Sequence, residues 1–300
     1  MPNLVSRPIS HLDVGAARIT RVEEMAGPAF RLSTLFPEWD DAVYEEHKDW
    51  LVPHYVNPEK MTALLNMHSW IVQFNGLTVL IDTCIGNDKD RMPAERWHHQ
   101  QGPYLERLAE AGFKVEDIDM VMCTHLHVDH VGWNTQLRDG RWVPTFPNAK
   151  YVFSRTEFEH FQAHAAEHDD MDRNSFADSV LPIVECGMAE MTDGAHALGE
   201  GLLLEPAPGH TPGHVTLKLE SGADAAIFTG DILHHPLQVY LPHWNSRFCI
   251  LPDEARASRR RVLDYCADRG ALLMPAHFGP PHCCHIDRVG EAYAARWHQG

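Results

Sequence analysis

The stretch Thr124-His125-Leu126-His127-Val128-Asp129-His130 packs three imidazoles and a carboxylate into six positions. A neutral imidazole is a good zinc ligand, and a carboxylate adds the negative charge that a second dication needs. Further on, His210 stands in Pro208-Gly209-His210-Thr211-Pro212-Gly213-His214, where glycine and proline on both sides restrict the loop that carries it. Asp231 follows in Thr229-Gly230-Asp231, and His277 closes Met274-Pro275-Ala276-His277. Together His125, His127, Asp129, His130, His210, Asp231 and His277 supply five imidazoles and two carboxylates, enough for two metal ions with coordination positions left open. Open positions favour chemistry over scaffolding, because structural zinc is normally saturated by four protein ligands and a catalytic ion is not.

Each of these candidates sits just beyond an apolar run. Residues 118–123 read as a short strand with the ligand loop at its end and Val131-Gly132 as a turn; 202–204, 215–219, 225–228 and 271–274 are further strands. Residues 69–74 and 77–82, joined by Asn75-Gly76, read as a β-hairpin. Helices are expected over 103–111, 156–168, 176–188 and 253–269, so strands and helices interleave in an α/β layering with polar ligands at the strand ends. On the second of these helices His160, His164 and His168 recur every four residues. Interspersed with Glu157, Glu159 and Glu167, they predict a solvated face rather than a metal site. The same reading is given to Arg259-Arg260-Arg261 on the last helix.

Three hundred residues with 44% hydrophobic content can bury a large core, read here as one domain over 1–300 with an elaborated segment over 1–65. That segment carries Phe30, Phe36, Trp39, Tyr44, Trp50 and Tyr55, which either cap a substrate pocket, with Trp244 joining them, or plug a core. A formal charge of −17 argues against nucleic acid as a partner. No secretory signal and no run of ~18 apolar residues is seen, so a soluble, cytoplasmic protein without a membrane partner is expected. Seven cysteines without zinc-ribbon spacing suit reduced thiols, and Cys283-Cys284 reads as a pair of partly buried thiols.

The order of the ligand candidates, H-x-H-x-D-H followed by a lone His, a Gly-Asp and a late His, resembles the metallo-β-lactamase-fold hydrolases over residues 65–285. The resemblance implies a four-layer αββα sandwich with two zinc ions per chain at one edge, between the sheets. It implies His125, His127 and His210 on the first ion, Asp129, His130 and His277 on the second, and Asp231 bridging both. Asp82, in Ile81-Asp82-Thr83, matches the family's strand-end aspartate that steadies the metal loop. The two ions would lower the pKa of a shared water to give a hydroxide nucleophile, with Asp129 orienting the water or passing a proton to the leaving group.

Within the family, His127 separates the chain from flavodiiron-type oxidoreductases, which carry Glu there. The acidic charge disfavours the nucleases, and the tail after His285 is too short for the basic region of glyoxalase-II-like enzymes. The lactonase and esterase branch remains, including acyl-homoserine-lactone lactonase-like and organophosphate-hydrolase-like enzymes, which Ile232-Leu233-His234-His235-Pro236-Leu237-Gln238 resembles most. The acyl-homoserine-lactone lactonases place Tyr three residues after the bridging Asp; this chain places His234. His234 is expected to take over the tyrosine's task as an oxyanion donor or general acid, the alternative being a histidine without a catalytic part. The expected activity is hydrolysis of carboxylic esters or lactones with an apolar or aromatic part. Phosphotriester or thioester hydrolysis, and a non-catalytic metal site, are the alternatives; a homodimer is compatible with the sequence.

Overall fold

The structure is a computed structural model that describes residues 10–298. Its first sheet contains β1 (His11–Val14), β2 (Ala17–Arg31), β3 (Val56–Asn57), β4 (Thr62–Phe74), β5 (Leu77–Ile81) and β6 (Met120–Met122). A small hairpin of β7 (Thr135–Arg138) and β8 (Arg141–Pro144) intervenes before β9 (Lys150–Ser154) and β10 (Ala189–Thr192) complete the sheet in the order β1-β2-β4-β5-β6-β9-β10, with β3 on β4. The second sheet runs in chain order through β11 (His196–Gly199), β12 (Leu202–Pro206), β13 (Val215–Ser221), β14 (Asp224–Phe228), β15 (Leu272–Met274), β16 (Cys284–Val289) and β17 (Ala292–Trp297).

Period-two alternation decides what each strand faces. Trp70 and Val72 of β4, Val79 and Ile81 of β5, Leu217 and Leu219 of β13, and Phe228 of β14 share one buried layer between the sheets. The intervening residues point outward to helices. Ile71, Leu80 and Val121 pack with Leu108 and Phe161, while Ile227 and Leu273 pack with Val262, Leu263 and Cys266 of the helix Pro252–Arg269. Helix, sheet, sheet, helix is the expected four-layer αββα arrangement. The Asn75-Gly76 turn joins β4 to β5 with Phe74 opposite Leu77, both turn residues taking positive φ, +50° and +79°.

The layers also bring strand ends together. β5 and β6 run parallel, as do β14 and β15, so Asp82, Thr124, Asp231 and the His277 segment leave their sheets near one edge. Asp129 and His130 depart from the expectation of a loop, since Val128–Val131 forms one helical turn. The apolar helix expected over 176–188 is a π turn over Phe176–Val180 followed by Leu181–Glu185, and a short helix, Met171–Ser175, precedes it.

The N-terminal segment contributes strands to the first sheet. From 11 to 31 it forms β1 and β2, and β2 is zipped along β4 from Arg18↔Gln73 to Arg31↔Thr62; residues 1–9 lie outside the described residues. Phe36, Trp39, Tyr44, Trp50 and Tyr55 pack among themselves and against Leu237, Trp244 and Trp297. Trp244 sits 5.6 Å from Phe36 and 6.0 Å from Trp39, ring to ring. These aromatics form one apolar cluster around the helix Asp41–Leu51; Phe30, which packs against the same cluster, also lines the cavity described below. Among the described residues no helix is long and apolar enough to cross a membrane. Cys283 and Cys284 are wholly buried free thiols, and burial pushes both pKa values up.

Candidate metal centre

Asp82, just past β5, organises the segment that follows β6. Its Oδ1 accepts from the Thr124 N–H at 2.7 Å, and its Oδ2 from the Thr124 hydroxyl at 2.9 Å and His130 Nδ1 at 2.8 Å. The last contact directs His130 Nε2 the other way, into the site. His277 is set similarly, since its Nδ1 donates to the Asn66 carbonyl at 2.9 Å. Gly230 precedes Asp231 with φ +48°, and a Cβ there would lie 2.5 Å from Thr124 Oγ1 and 2.7 Å from His214 Nε2. The close approach of the two strand ends thus depends on a glycine.

The structure brings all seven sequence candidates together in two groups. His125, His127, His210 and Asp231 form one and Asp129, His130 and His277 the other, with the ligand-type atoms of each within 4.8 Å of one another. In the first group His210 Nε2 is 2.8 Å from His127 Nδ1 and 3.1 Å from His125 Nε2. Asp231 lies between the groups. Its Oδ2 faces His210 Nε2 at 3.4 Å and His125 Nε2 at 3.8 Å, whereas its Oδ1 faces His277 Nε2 at 3.0 Å and His130 Nε2 at 3.3 Å. Asp129 stands 3.5 Å from His277 Nε2 and 3.7 Å from His130 Nε2.

This donor set fits two dications. His130 Nε2 and Asp231 Oδ1 are buried without a hydrogen-bond partner of acceptable geometry, a costly state for polar atoms unless a ligand answers them. Burial works against a charged His277, yet Asp231 and Asp129 outweigh it and raise its pKa to about 9. His130 is raised in the same way by Asp231, Asp82 and Asp129 against its burial. Burial also pushes the Asp231 carboxyl up, but His277, His234 and His130 hold it well below the usual carboxylate range. The carboxylates therefore draw positive charge into a dry site. His125 and His210, pulled down by burial and neighbouring imidazoles, stay neutral as metal ligands must.

A cavity of about 320 Å³ opens onto both groups, walled by Phe30, Leu65, Met67, Trp97, Val128 and Phe248. His127, Asp129, His210, Asp231, His234 and His277 line it from the metal side. His234 is 3% exposed, with Nε2 3.1 Å from Asp231 Oδ2 and 3.4 Å from Ser246 Oγ. His235 turns away and meets the Tyr55 carbonyl at 3.0 Å. His160, His164 and His168 join neither group; His164 pairs with Asp170 and stacks on His168.

Two charged residues assigned to solvent are buried instead. Glu157 accepts backbone N–H groups from Leu126 and Gly213, and Arg259 donates to the Ile232, Pro242 and Trp244 carbonyls. Glu24, not singled out from the sequence, accepts from the Ile85 and Gly86 N–H groups and the Trp133 indole. A signal for Arg259 exists, since Ala255, Ser258, Arg259, Val262 and Cys266 fall on one helical stripe. Glu24 and Glu157 carry no comparable signal, because their partners, mostly main-chain groups, lie on loops distant in sequence.

The profile of the metallo-beta-lactamase superfamily matches residues 64–277. Among curated proteins, an N-acyl homoserine lactonase from a Bacillus species is 30% identical over 114 residues, 38% of this chain and 38% of its own. One from Bacillus cereus is 25% identical over 178 residues, covering 53% of this chain and 60% of its own. A probable metallo-hydrolase from Mycobacterium bovis is 25% identical over 61% of this chain and 62% of its own. The chain thus spans less than two thirds of these relatives' length. Over nearly the whole chain, the structure is similar to AidC, a dizinc quorum-quenching lactonase in complex with a product (TM-score 0.79, 20% identity, 98% of both chains). It is also similar to AbOPH, a hydrolase in the beta lactamase superfamily (TM-score 0.80, 21% identity, 98% and 99% of the chains). At these identities the structural likeness establishes the fold.

Proposed function

The chain belongs to the metallo-beta-lactamase superfamily, and on that premise we propose that it is a dinuclear zinc hydrolase of carboxylic esters or lactones with an apolar or aromatic part. The observation that carries the reading is Asp231, whose two oxygens face two separate ligand groups at the floor of an apolar cavity. His125, His127 and His210 would hold one ion, Asp129, His130 and His277 the other, and Asp231 both. Ions bound there would supply Lewis acidity and a nucleophile at neutral pH.

The chain's own residues do the rest. Phe30, Leu65, Met67, Trp97 and Phe248 receive the apolar part of the substrate and exclude water around the reacting carbonyl. Asp129, partly exposed on the cavity wall, would take a proton and return it to the leaving group. His234 lines the cavity with its Nε2 beside Asp231, and it would donate an imidazole N–H to an oxyanion formed there. The residues from 1 to 300 are read as one domain around this site, in which the N-terminal segment contributes Phe30.

Elemental analysis of purified, zinc-supplemented protein should find about two ions per chain, and chelation should abolish turnover in a panel of lactones, aryl esters, thioesters and phosphotriesters. One ion or none would overturn the dinuclear reading, and turnover confined to thioesters or phosphotriesters would overturn the substrate class. Asp231→Asn should weaken both ions together. His234→Ala should lower kcat by ~10²–10³ with both ions retained, and His235→Ala should do much less. Near-normal turnover in the His234 variant would remove it from the catalytic set.

A further inference from the structure

Glu157 lies on the first turn of the helix Arg155–Glu167, and its side chain is buried, 1% exposed, while most of the helix's other acidic and imidazole side chains are at least partly exposed. Ser154-Arg155-Thr156-Glu157 has the capping-box pattern, in which the glutamate turns back to the N-cap N–H. Ser154 Oγ does accept from the Glu157 N–H at 3.4 Å. The carboxylate, however, leaves its own helix. Oε1 accepts from the Leu126 N–H at 3.1 Å, and Oε2 from the Gly213 N–H at 2.8 Å.

Those two donors belong to the two loops that build the first ligand group. Leu126 separates His125 from His127, on the segment that follows β6 of the first sheet. Gly213 lies three residues past His210, on the loop between β12 and β13 of the second. One carboxylate therefore ties ligand loops across the seam between the sheets, alongside a main-chain bond from the Val215 N–H to the Thr124 carbonyl at 2.9 Å. Asp82, by contrast, holds only the first-sheet side. The approach is close enough to demand glycine at 213, since a Cβ there would lie 2.2 Å from the Glu157 backbone nitrogen and 2.7 Å from its Cβ.

We propose that Glu157 is a positioning residue that, through Leu126 and Gly213, sets His127 against His210 and so tunes the affinity of the His125, His127, His210 and Asp231 group for its ion. The inference rests on reading that group as half of a metal centre. A shift of either loop moves one imidazole of a ligand set whose ring nitrogens now converge at 2.8 Å. Partners that orient ligands typically change metal affinity by ~10–100-fold when altered.

The test is zinc affinity, measured by competition with a chromophoric chelator on full-length protein, with the absorption of the Co(II)-loaded form as a second readout. E157Q keeps one acceptor oxygen but turns an NH₂ group toward a backbone N–H. It should bind one of the two ions ~10–100-fold more weakly, leave the other unchanged, and alter the Co(II) bands of one ion only. E157D retains the charge but is a methylene short of reaching both loops, and should fall between E157Q and the wild type. Wild-type affinities for both ions in E157Q would overturn the proposal, as would equal weakening of both. A role confined to the scaffold would lower the Tm of the metal-free protein without moving the zinc affinity of what remains folded. If E157Q does not fold, E157D is measured in its place, and failure of both to fold would make Glu157 a requirement of the fold and overturn the proposal. A wild-type protein that binds fewer than two ions would instead refute the metal centre itself.

Discussion

The two sides of the centre are held mainly by buried charges of opposite sign, with Glu157 reaching from the first to Gly213 of the second. On the first-sheet side carboxylates grip the loops, with Asp82 on Thr124 and His130, Glu157 on Leu126, and Glu24 on Ile85 and Gly86. On the second-sheet side a guanidinium does so. Arg259, 0% exposed, donates to the Ile232 carbonyl at 2.8 Å, Pro242 at 2.8 Å, Trp244 at 2.7 Å and Asn245 Oδ1 at 3.2 Å. The first-sheet loops turn inward N–H groups that carboxylates rather than carbonyls accept from, whereas the segment running from Asp231 to Asn245 turns its carbonyls toward the last helix. Burial pulls the Arg259 pKa down to about 10, which leaves it charged at neutral pH. These buried charges thus answer mainly main-chain groups, although Asp82 also meets the His130 imidazole, and among the described residues Arg259 forms no ion pair.

The comparison breaks most visibly at Arg259. Arg259→Met would leave several buried acceptors without donors and should cost about 3–5 kcal/mol in urea denaturation. Arg259→Lys should recover only part, because one ammonium cannot copy the planar fork. A loss under about 1 kcal/mol for the methionine variant would show that the carbonyls find other partners.

A second buried cation sharpens the contrast because it does have a carboxylate. Lys89 lies 3.4 Å from Asp178 Oδ1 and donates to Thr135 Oγ1 at 2.6 Å and Ser179 Oγ at 3.0 Å, while Arg91 takes both Asp178 oxygens at 2.7 and 2.8 Å. Burial pulls the Lys89 pKa from 10.5 to about 7; Asp178 opposes the change and Arg91 adds to it. Between about 7 and 10.5 the unfolded chain binds a proton that the folded protein has released, so this group makes stability rise with pH across that window. Lys89→Met should remove the rise, worth up to about 2–4 kcal/mol between its ends, as read from denaturation at pH 6.5 and 10. Parallel profiles for variant and wild type would mean that Lys89 keeps its proton throughout.

These differences also mark what the amino-acid sequence could disclose. The ligands of the first-sheet side are legible because four of them crowd into His125–His130, and the Asn75-Gly76 hairpin because two residues with left-handed backbone identify themselves. Glu157 and Arg259 are not, because helical periodicity sends charges to solvent unless a partner is known, and their partners are peptide groups far away in the chain. Arg259 shares a triplet with Arg260 and Arg261, yet only Arg259 falls on the buried stripe. The aromatics from Phe36 to Tyr55 were ambiguous for another reason. Cavity walls and cores use the same side chains: Phe30 and Phe36 share one cluster with Leu237 and Trp244, and what separates them is that Phe30 also lines the cavity.

The smallest expected effect lies on the helix that carries Glu157. Its exposed flank presents His164 Nε2 at 2.8 Å from Asp170 Oδ2, with the His164 ring stacked 4.1 Å from His168. Neither contact is sealed from water, since the His164 and Asp170 side chains are 25% and 44% exposed. An ion pair open to solvent contributes little, because water and salt screen it and both side chains lose rotamer freedom to form it. His164→Ala should therefore shift stability by no more than about 0.5 kcal/mol and leave metal content and turnover unchanged. Set beside E157Q, it asks whether one helix acts on the centre only through its buried first turn. Loss of an ion from the His164 variant would mean that the centre reaches the helix's outer face, and the contrast between buried and solvated charge on this helix would fail.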